Sequence, residues 1–505
     1  MRVLLWHGWL LEGSGSNVFT ARVAEVLRSS GHEVLVVCQE PHPDRYPWID
    51  AWGSVGPDGP SALTANDASP PSPGRCVLLR PRIGRLLPVF VLDEYEGFEV
   101  KRFVDLSDEE LEPYLARNVE ALRAAAAWHR SEVVVGGHAI PGAVVARRAL
   151  GTRGYLAKVH GSDLEYAVGH QRRYVELARE GLAGARAVVG SSSDVLARAE
   201  QVVPGIGPLL RPVAPGVDAD RFHPMPRREA LLRTAAALET DPETARGRPA
   251  SLDEEVELAV ERRDAAALAD LAHRYDQEVP DPDAAGRLRG LARHEGPVVG
   301  YFGKLIPAKG VELLLAAARQ ARHRPAVLVV GFGLHREWLS ALATALRAGD
   351  AGSGAWLREA GAMALDPADV EGQAAGAPVT FTGRLDHRYA PGALAAMDIL
   401  VVPSVLSEAF GMVTSEGAAA GALPLVAGHT GLGQTGAALE LAAGRPGLFT
   451  YEPGPGSAGR IAAGIDRILS LPPEERHELG HEIRAFIVDE WSWQRTADRL
   501  LEAWS

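Results

Sequence analysis

Cysteine is nearly absent from this 505-residue chain, which contains only Cys38 and Cys76. Two isolated cysteines cannot form a disulfide framework or a cysteine-rich zinc site. A reducing compartment suits such a chain, and we therefore expect a cytoplasmic protein. We also expect no metal site, because the cysteines stand alone and we expect no helix that carries histidines four residues apart.

Long apolar runs and an excess of positive charge are also missing. No run reaches the 18 or so apolar residues that a membrane-spanning helix needs, and Val3–Trp6 is too short for a secretory signal. The net charge is −13. That charge argues against unspecific nucleic-acid binding, which depends on basic residues that release counterions. We therefore expect no nucleic-acid partner.

Lysine is rare as well, although the chain has 52 basic residues. Its lysines are Lys101, Lys158, Lys304 and Lys309. The last two share one short loop between Gly303 and Gly310, directly after an apolar run. The compact charge of a lysine ammonium suits a diphosphate. This pair predicts a local positive site in an acidic protein, and two solvated surface lysines are the plain alternative.

The sequence otherwise alternates short β-branched runs with helical stretches rich in Ala and Arg. Such alternation predicts βαβ units and parallel sheets. Together with the chain length it predicts an α/β fold of two doubly wound, Rossmann-like domains that face each other across a cleft. The first domain covers 1–215 and the second 291–484. A C-terminal helix over 485–505 packs back onto the first domain.

Residues 225–290 interrupt this alternation, because they are acidic and Ala-rich and contain no strand-like run. Ser251–Glu254 fits a capping box at the start of a helix. We predict a helical insertion here, with a partly disordered linker as the alternative. Residues 346–377 form a second insertion, rich in Ala and Gly.

The strongest chemical signal is the segment 403–416, which follows the apolar run Ile399–Val402. Its Phe410-Gly411 pair predicts a helix start, where unpaired N–H groups and the helix dipole attract phosphate. Glu408 stands before that start, and Glu416 lies more than one turn inside the helix. Each carboxylate can accept hydrogen bonds from two sugar hydroxyls. Two ordinary helical or surface glutamates are the alternative.

Gly-rich loops follow two of the predicted strands. In the loop 13–17, Gly15 and Ser16 allow a ligand to approach the backbone closely. The loop lacks the third glycine of the dinucleotide fingerprint, and so does the segment 331–336. These two failures disfavour a nicotinamide-dependent oxidoreductase.

Polar residues mark other strand ends of the predicted first domain. His160 and Asp163 follow one strand, and His138 follows another. A histidine at a strand end can donate to a sugar hydroxyl or to a leaving phosphate, whereas a buried structural histidine is the alternative. The acidic segment 93–97 either lines the acceptor side or forms a solvated turn.

Together these residues resemble the retaining family-four glycosyltransferases of the GT-B fold, over nearly the whole chain outside the two insertions. The pair Glu408 and Glu416, with Phe410-Gly411 between them, is the most specific mark. The resemblance implies transfer of a sugar from a nucleotide-diphosphate sugar to an acceptor hydroxyl. It also implies retention of the anomeric configuration, with neither a metal ion nor another cofactor.

The resemblance assigns roles to most of these residues. Lys304, Lys309 and the helix start stabilise the departing diphosphate, whereas Glu408 holds sugar hydroxyls and His160 orients the sugar; these four side chains are the catalytic candidates. Acceptor-side candidates are His138 and Asp163. The implied donor-binding residues are Gly15, Ser16, Gly303, Lys304, Lys309, Gly383, Arg384, Glu408, Phe410, Gly411, Met412, Val413 and Glu416.

The implied partners are a nucleotide sugar and a carbohydrate or lipid-linked acceptor. A lipid-linked acceptor would place the protein at the inner face of the membrane, in a pathway of carbohydrate biosynthesis. The residues identify neither the base, nor the sugar, nor the acceptor. A phosphorylase or epimerase of the same fold and a non-catalytic nucleotide-sugar-binding protein remain open as alternatives.

Overall fold

The computed structural model describes residues 1–92, 95–371 and 377–505. These residues form two compact units. The first comprises Met1–Gly216 and Trp491–Ser505, and the second comprises Val217–Glu490. Asp93 and Glu94 of the acidic segment 93–97, and residues 372–376 of the second insertion, lie outside the described residues.

The first unit contains a mainly parallel sheet made from the short apolar runs. Its strands are β1 (Arg2–Trp6), β2 (Glu33–Val37), β3 (Ala51–Gly56), β4 (Gly59–Pro60), β5 (Thr64–Ala65), β6 (Arg75–Pro81), β9 (Val133–Gly137), β10 (Leu156–Val159), β11 (Ala187–Gly190) and β12 (Leu210–Pro212), and β7 (Leu86–Val89) with β8 (Glu99–Arg102) forms a separate parallel pair. The strand order is β12-β11-β10-β9-β1-β2-β6-β3-β4, with β5 also paired to β3. Only β4 and β5 among these described strands run antiparallel.

Helices connect these strands, and several begin where the sequence offers a capping side chain. They are α1 (Gly15–Ser29), α2 (Asp108–His129), α3 (Val144–Leu150), α4 (Arg172–Ala183) and α5 (Ser193–Val202). Ser14 Oγ accepts the N–H of Asn17 at the start of α1, and Ser107 with Glu110 forms a capping box at α2. Such caps satisfy N–H groups that have no partner within the helix.

The second unit has a wholly parallel sheet. Its strands are β13 (Val298–Lys304), β14 (Ala326–Phe332), β15 (Val379–Phe381), β16 (Ile399–Val402), β17 (Leu423–Ala427) and β18 (Thr450–Tyr451). Their order is β15-β14-β13-β16-β17-β18. Because the strands are parallel, all their carboxyl ends lie at one edge of the sheet, where α/β proteins bind their ligands. The loops 303–310 and 403–411 both leave from this edge.

The helices of this unit include those of the two insertions. They are α6 (Arg227–Leu238), α7 (Leu252–Glu261), α8 (Ala265–Leu271), α9 (Ala284–Leu291), α10 (Val311–Gln320), α11 (Arg336–Ala348), α12 (Ala351–Ala360), α13 (Pro367–Val370), α14 (Ala390–Ala395), α15 (Met412–Ala419), α16 (Thr430–Ala442), α17 (Ser457–Leu469) and α18 (Pro473–Glu490). Segment 225–290 is helical, although Ser251 makes no side-chain capping bond at α7. Asp264 does cap α8 through the N–H of Ala267.

The C-terminal region differs from the single helix predicted over 485–505. Helix α18 ends at Glu490, and a separate helix, α19 (Trp493–Glu502), follows. Ser492 Oγ caps α19 by accepting the N–H of Arg495 at 3.3 Å. Thr496 Oγ1 donates to the carbonyl of Ala214, so α19 belongs to the first unit. Every helix among the described residues is too short or too polar to span a bilayer.

Candidate functional site

The two loops that carry the predicted lysine and glutamate contact each other in the second unit. The N–H groups of Val405 and Leu406 both donate to the carbonyl of Ala308, at 3.0 and 3.3 Å. Gly310 has a φ of +62°, and a Cβ there would lie 2.4 Å from the carbonyl oxygen of Pro403. Glycine therefore allows the close approach of these loops.

This contact brings Lys309 and Glu408 together. Lys309 Nζ forms an ion pair with Glu408 Oε1, and Ser404 Oγ donates to the same oxygen at 2.7 Å. The side chains are only 30% and 19% exposed, so they are more enclosed than expected for exposed loops. The ammonium is therefore held in place before any ligand arrives.

The predicted helix start lies directly after this pair. Gly411, with a φ of +77°, is the N-cap of α15, and Met412 and Val413 are its first two residues, whose N–H groups have no acceptor within a helix. Thr435 Oγ1 donates to the carbonyl of Phe410 at 2.7 Å. The N–H of Glu408 donates to Thr430 Oγ1 at 3.2 Å. These bonds hold the segment before α15 in one conformation.

Glu416 lies in the second turn of α15 and is partly buried. Its position four residues after Met412 corresponds to about 6 Å along the helix axis. The structure thus places Glu408 before the helix start and Glu416 one turn inside it. Contacts of either carboxylate with a ligand remain predictions.

Lys304 and Arg384 form a second cationic group around one aromatic ring. Lys304 Nζ lies 5.6 Å and Arg384 Cζ 5.1 Å from the centroid of Phe332. Tyr301 Oη donates to the carbonyl of Lys304 at 2.8 Å. Burial, followed by the charges of Glu408 and Glu312, raises the pKa of this tyrosine. Positively and negatively charged side chains thus lie together near the carboxyl ends of the strands in the second unit.

The first insertion contributes to this edge of the second unit, which the sequence did not reveal. The N–H of Asp281 donates to the carbonyl of Thr382 at 2.8 Å, and the N–H of Arg384 donates to the carbonyl of Val279 at 3.3 Å. Glu278 pairs with the Arg384 guanidinium at 2.8 Å. Insertion residues therefore flank the predicted Gly383-Arg384 segment.

The first unit holds the remaining candidates. Gly15 and Ser16 begin α1, and Oδ1 of the following residue, Asn17, accepts a hydrogen bond from His7 Nε2 at 2.8 Å. The oxygen can only accept, so the imidazole of His7 donates and carries its proton on Nε2. His7 thereby links the end of β1 to the glycine-rich loop.

His160 and His138 pack together at the ends of β10 and β9. Their ring centroids are 4.5 Å apart. His138 is buried and has a φ of +74°. This left-handed backbone conformation costs free energy for a residue other than glycine, and such strain is often found at functional sites. Burial, followed by the charge of Lys158, lowers the pKa of His138 to about 3, and burial with the charge of His138 lowers that of His160 well below its ordinary value. Both rings are neutral near pH 7.

Asp163 is fully buried and serves the protein's own backbone. Its two carboxylate oxygens accept the N–H groups of Ala139 at 2.6 Å and Gly161 at 2.9 Å. Burial raises the pKa of this carboxyl above its ordinary value. The carboxylate holds the two strand-end turns together, and its predicted contact with an acceptor remains a prediction.

Lys158 is a member of this cluster that the sequence did not assign. The residue is 2% exposed, and its ammonium donates to the carbonyl of Val159 at 3.2 Å and lies 4.8 Å from the ring centroid of Phe19. Burial lowers the pKa of Lys158 to about 7. Its place two residues before His160, in a chain with so few lysines, is the signal that could have singled it out.

We predict that Lys158→Met stabilises the protein by roughly 5 kcal/mol near pH 6.5, because it removes a buried ammonium. The pKa is about 7 folded and near 10.5 unfolded, so the unfolded state binds more protons between these values and wild-type stability rises with pH there. The gain should therefore shrink towards pH 10. Denaturant unfolding at pH 6.5 and 9.5 measures it, with Lys101→Met, which removes a half-exposed lysine paired with Glu110, as control. A loss of stability, or a gain independent of pH, would contradict the burial account.

Parts of the amino-acid sequence are similar to known proteins. Residues 296–470 match the family model "Glycosyl transferases group 1". A GDP-mannose-dependent alpha-(1-6)-phosphatidylinositol monomannoside mannosyltransferase of Mycolicibacterium smegmatis is 27% identical over 45% of this chain and 53% of its own length. A glycogen synthase of Halorhodospira halophila is 44% identical over 13% of each chain. The chain spans about half the length of the mannosyltransferases it matches.

Solved structures match along the whole chain. Sucrose-phosphate synthase from Thermosynechococcus elongatus superposes with a TM-score of 0.57 at 18% identity and covers 100% of this chain and 98% of its own. The HepE protein of Anabaena, solved with UDP and glucose, has a TM-score of 0.56 at 14% identity and covers 100% of this chain and 99% of its own. These likenesses confirm the predicted α/β fold class, the GT-B fold.

Proposed function

We propose that this chain is a family-four glycosyltransferase of the GT-B fold, which its match to the group 1 glycosyltransferase model and its fold support. It transfers a sugar from a nucleotide-diphosphate sugar to an acceptor hydroxyl. One observation carries this proposal. In the second unit, the ammonium of Lys309, the carboxylate of Glu408 and the start of α15 lie together where β13 and β16 end. A cation next to free helix N–H groups suits a diphosphate, and a neighbouring carboxylate suits sugar hydroxyls.

The proposed chemistry depends on stabilising the leaving group. The bond between the anomeric carbon and the diphosphate breaks, and negative charge grows on the diphosphate. Lys309, Lys304 and the N–H groups at Met412 and Val413 stabilise that charge as preorganised donors. A phosphate that binds Lys309 competes with Glu408 for the ammonium, which leaves the carboxylate able to accept hydrogen bonds from the sugar.

We propose that the anomeric configuration is retained. The acceptor oxygen attacks the face from which the diphosphate leaves, and its proton passes to the departing phosphate oxygen. The neutral imidazole of His160 acts as a hydrogen-bond donor that orients the sugar, which its lowered pKa permits near pH 7. Glu416 binds the ribose hydroxyls, and the backbone of Gly383-Arg384 meets the base.

The proposed classes of donor and acceptor follow from the relatives named above. The mycolicibacterial relative is named as GDP-mannose-dependent with a phosphatidylinositol monomannoside acceptor, whereas HepE was solved with UDP and glucose. We propose a sugar nucleotide as donor and a carbohydrate or lipid-linked hydroxyl as acceptor. A thermal-shift screen of GDP, UDP and ADP identifies the base, since ligands that bind the folded state raise its melting temperature.

We predict that EDTA leaves the transfer rate unchanged within about twofold, because fixed lysines and helix N–H groups supply the positive charge. The measurement is release of the nucleoside diphosphate from GDP-mannose and UDP-glucose, with and without chelator, in the presence of candidate acceptors. Strict dependence on a divalent ion would contradict this lysine-based account. Tight nucleotide binding without turnover, with every acceptor tried, would instead favour the non-catalytic nucleotide-sugar-binding protein.

A further inference from the structure

Two histidines lie four residues apart near the C-terminal end of the second unit. The segment 477–481 reads His-Glu-Leu-Gly-His and falls inside α18. The expectation that no helix carries histidines at this spacing is therefore wrong. Residues four apart on a helix are neighbours on one face, so both imidazoles project from the same side of α18.

The two imidazoles contact each other through their Nε2 atoms, at a distance that also suits a hydrogen bond. His477 Nε2 and His481 Nε2 are 3.0 Å apart, and the ring planes are nearly perpendicular, at 89°. Two imidazoles bound to one ion at about 2.1 Å have their nitrogens ~3.0 Å apart when the angle at the ion is 90°, and ~3.4 Å apart when it is tetrahedral. The observed separation matches the right angle of square-planar or octahedral coordination.

The surroundings leave room for further ligands. Both histidines are exposed, and both line a cavity of about 530 Å³ that Asp398 and Arg476 also line. Within the part of the chain that the structure describes, no third His, Cys, Asp or Glu completes a cluster. The spelling H-E-x-x-H also occurs in zinc proteases, but those need a third protein ligand, so the geometry does not support a protease centre.

We propose that His477 and His481 form a chelate for a divalent transition ion that favours right-angled coordination, namely Cu²⁺ or Ni²⁺, with water in the remaining positions. Copper(II) and nickel(II) adopt square-planar or tetragonal geometry with nitrogen ligands, and the Irving–Williams order ranks Cu²⁺ highest. Neither histidine belongs to the donor-binding residues, so the ion takes no part in sugar transfer. This inference does not rest on the proposed function.

The consequence for the protein is stabilisation of α18. This helix packs against α15 and α16 of the same unit. An ion that bridges its two histidines binds the helical state more tightly than the unfolded chain, so it raises the melting temperature as its concentration exceeds the Kd.

The test uses the full-length protein without an affinity tag, titrated with NiCl₂ or CuCl₂ by calorimetry and thermal shift. We expect one ion per chain, and at least tenfold weaker binding in both His477→Ala and His481→Ala. His273→Ala is the matched control, since His273 is also exposed in the second unit and should bind the ion normally. Because all three side chains are exposed, the variants should melt at the wild-type temperature without metal.

Electron paramagnetic resonance of the Cu²⁺-loaded protein supplies an independent readout. We expect hyperfine coupling to two imidazole nitrogens in the wild type and to one in either variant. Unchanged affinity in both variants, or a single nitrogen in the wild-type spectrum, would overturn the proposal. Equal binding to the wild type and to a His477→Ala/His481→Ala double variant would do the same.

Discussion

Lys309→Met is expected to lower the rate of sugar transfer at least 100-fold and to weaken binding of the nucleoside diphosphate. The ammonium is held by the loop contact of 303–310 with 403–411 and by Glu408. Loss of one preorganised donor to a developing oxyanion typically costs about 10²–10³ in rate. Assays with a donor identified by the nucleotide screen measure both effects.

Lys101→Met is the matched control for this prediction. Lys101 also pairs with a glutamate, Glu110, at 2.7 Å, but it lies in the first unit outside every candidate site. Its loss should leave transfer unchanged. Near-normal turnover of Lys309→Met, with its fold intact, would show that the phosphate site has been assigned to the wrong residues.

Glu408→Gln separates the two proposed roles of the ion pair. The amide keeps a hydrogen-bond acceptor for Ser404 but cannot balance the charge of Lys309. If Lys309 binds the diphosphate and Glu408 the sugar, this variant should bind the free nucleoside diphosphate at least as well as the wild type while transferring sugar more slowly. A parallel loss of both would mean that the pair acts only as structural support for the loops.

Glu337→Ala is expected to destabilise the protein by about 3–5 kcal/mol, the usual result of removing one partner of a buried ion pair. Arg248, just before α7 of the first insertion, is 1% exposed and donates to both oxygens of Glu337, which is fully buried on α11. Burial lowers the pKa of Arg248, but the hydrogen bonds and charge of Glu337 more than offset it. When Glu337 is removed, Arg248 keeps only its ion pair with Asp253, at 2.8 Å, whose side chain is largely exposed. Denaturant unfolding measures the loss.

A double variant tests whether the pair or its burial is responsible. Arg248→Met/Glu337→Leu removes both charges and keeps much of the buried volume, and replacing buried ion pairs by apolar residues is often neutral. We expect the double variant to recover most of the stability lost in Glu337→Ala. If it is as unstable as the single variant, the destabilisation comes from packing and not from the loss of the ion pair with Glu337.

The pair also explains why the first insertion belongs to the second unit. Arg248 joins it to α11, Arg227 of α6 pairs with Asp398 at 2.7 Å, and residues 278–281 border β15. The acidic and Ala-rich composition predicted helices here but could not show these contacts. Charged residues that the sequence would place on a solvated surface instead form ion pairs that hold the insertion to the second unit.

The local sequence pattern was enough to predict much of the fold. The run Ile399–Val402 is a strand with those bounds, and Gly411 lies at the start of α15 as the Phe410-Gly411 pair predicted. Strands buried on both faces consist of continuous apolar residues, which makes them visible. The sequence does not reveal every strand of region 41–130, because some are as short as Gly59–Pro60 and too short to show a period.

Properties set by neighbours along the chain can thus be predicted from the sequence. They include the apolar strands and the helix that begins after a glycine. The shared face of His477 and His481 also belongs here, since it follows from the helical repeat. Ion pairs between residues far apart in the sequence could not be predicted in this way. Lys309 meets Glu408 across 99 positions and Arg248 meets Glu337 across 89, and the burial that makes Lys158 lose its proton near neutral pH exists only once helix and sheet have closed around it. Such pairs and pKa values depend on which surfaces exclude water together, and that is a property of the folded chain.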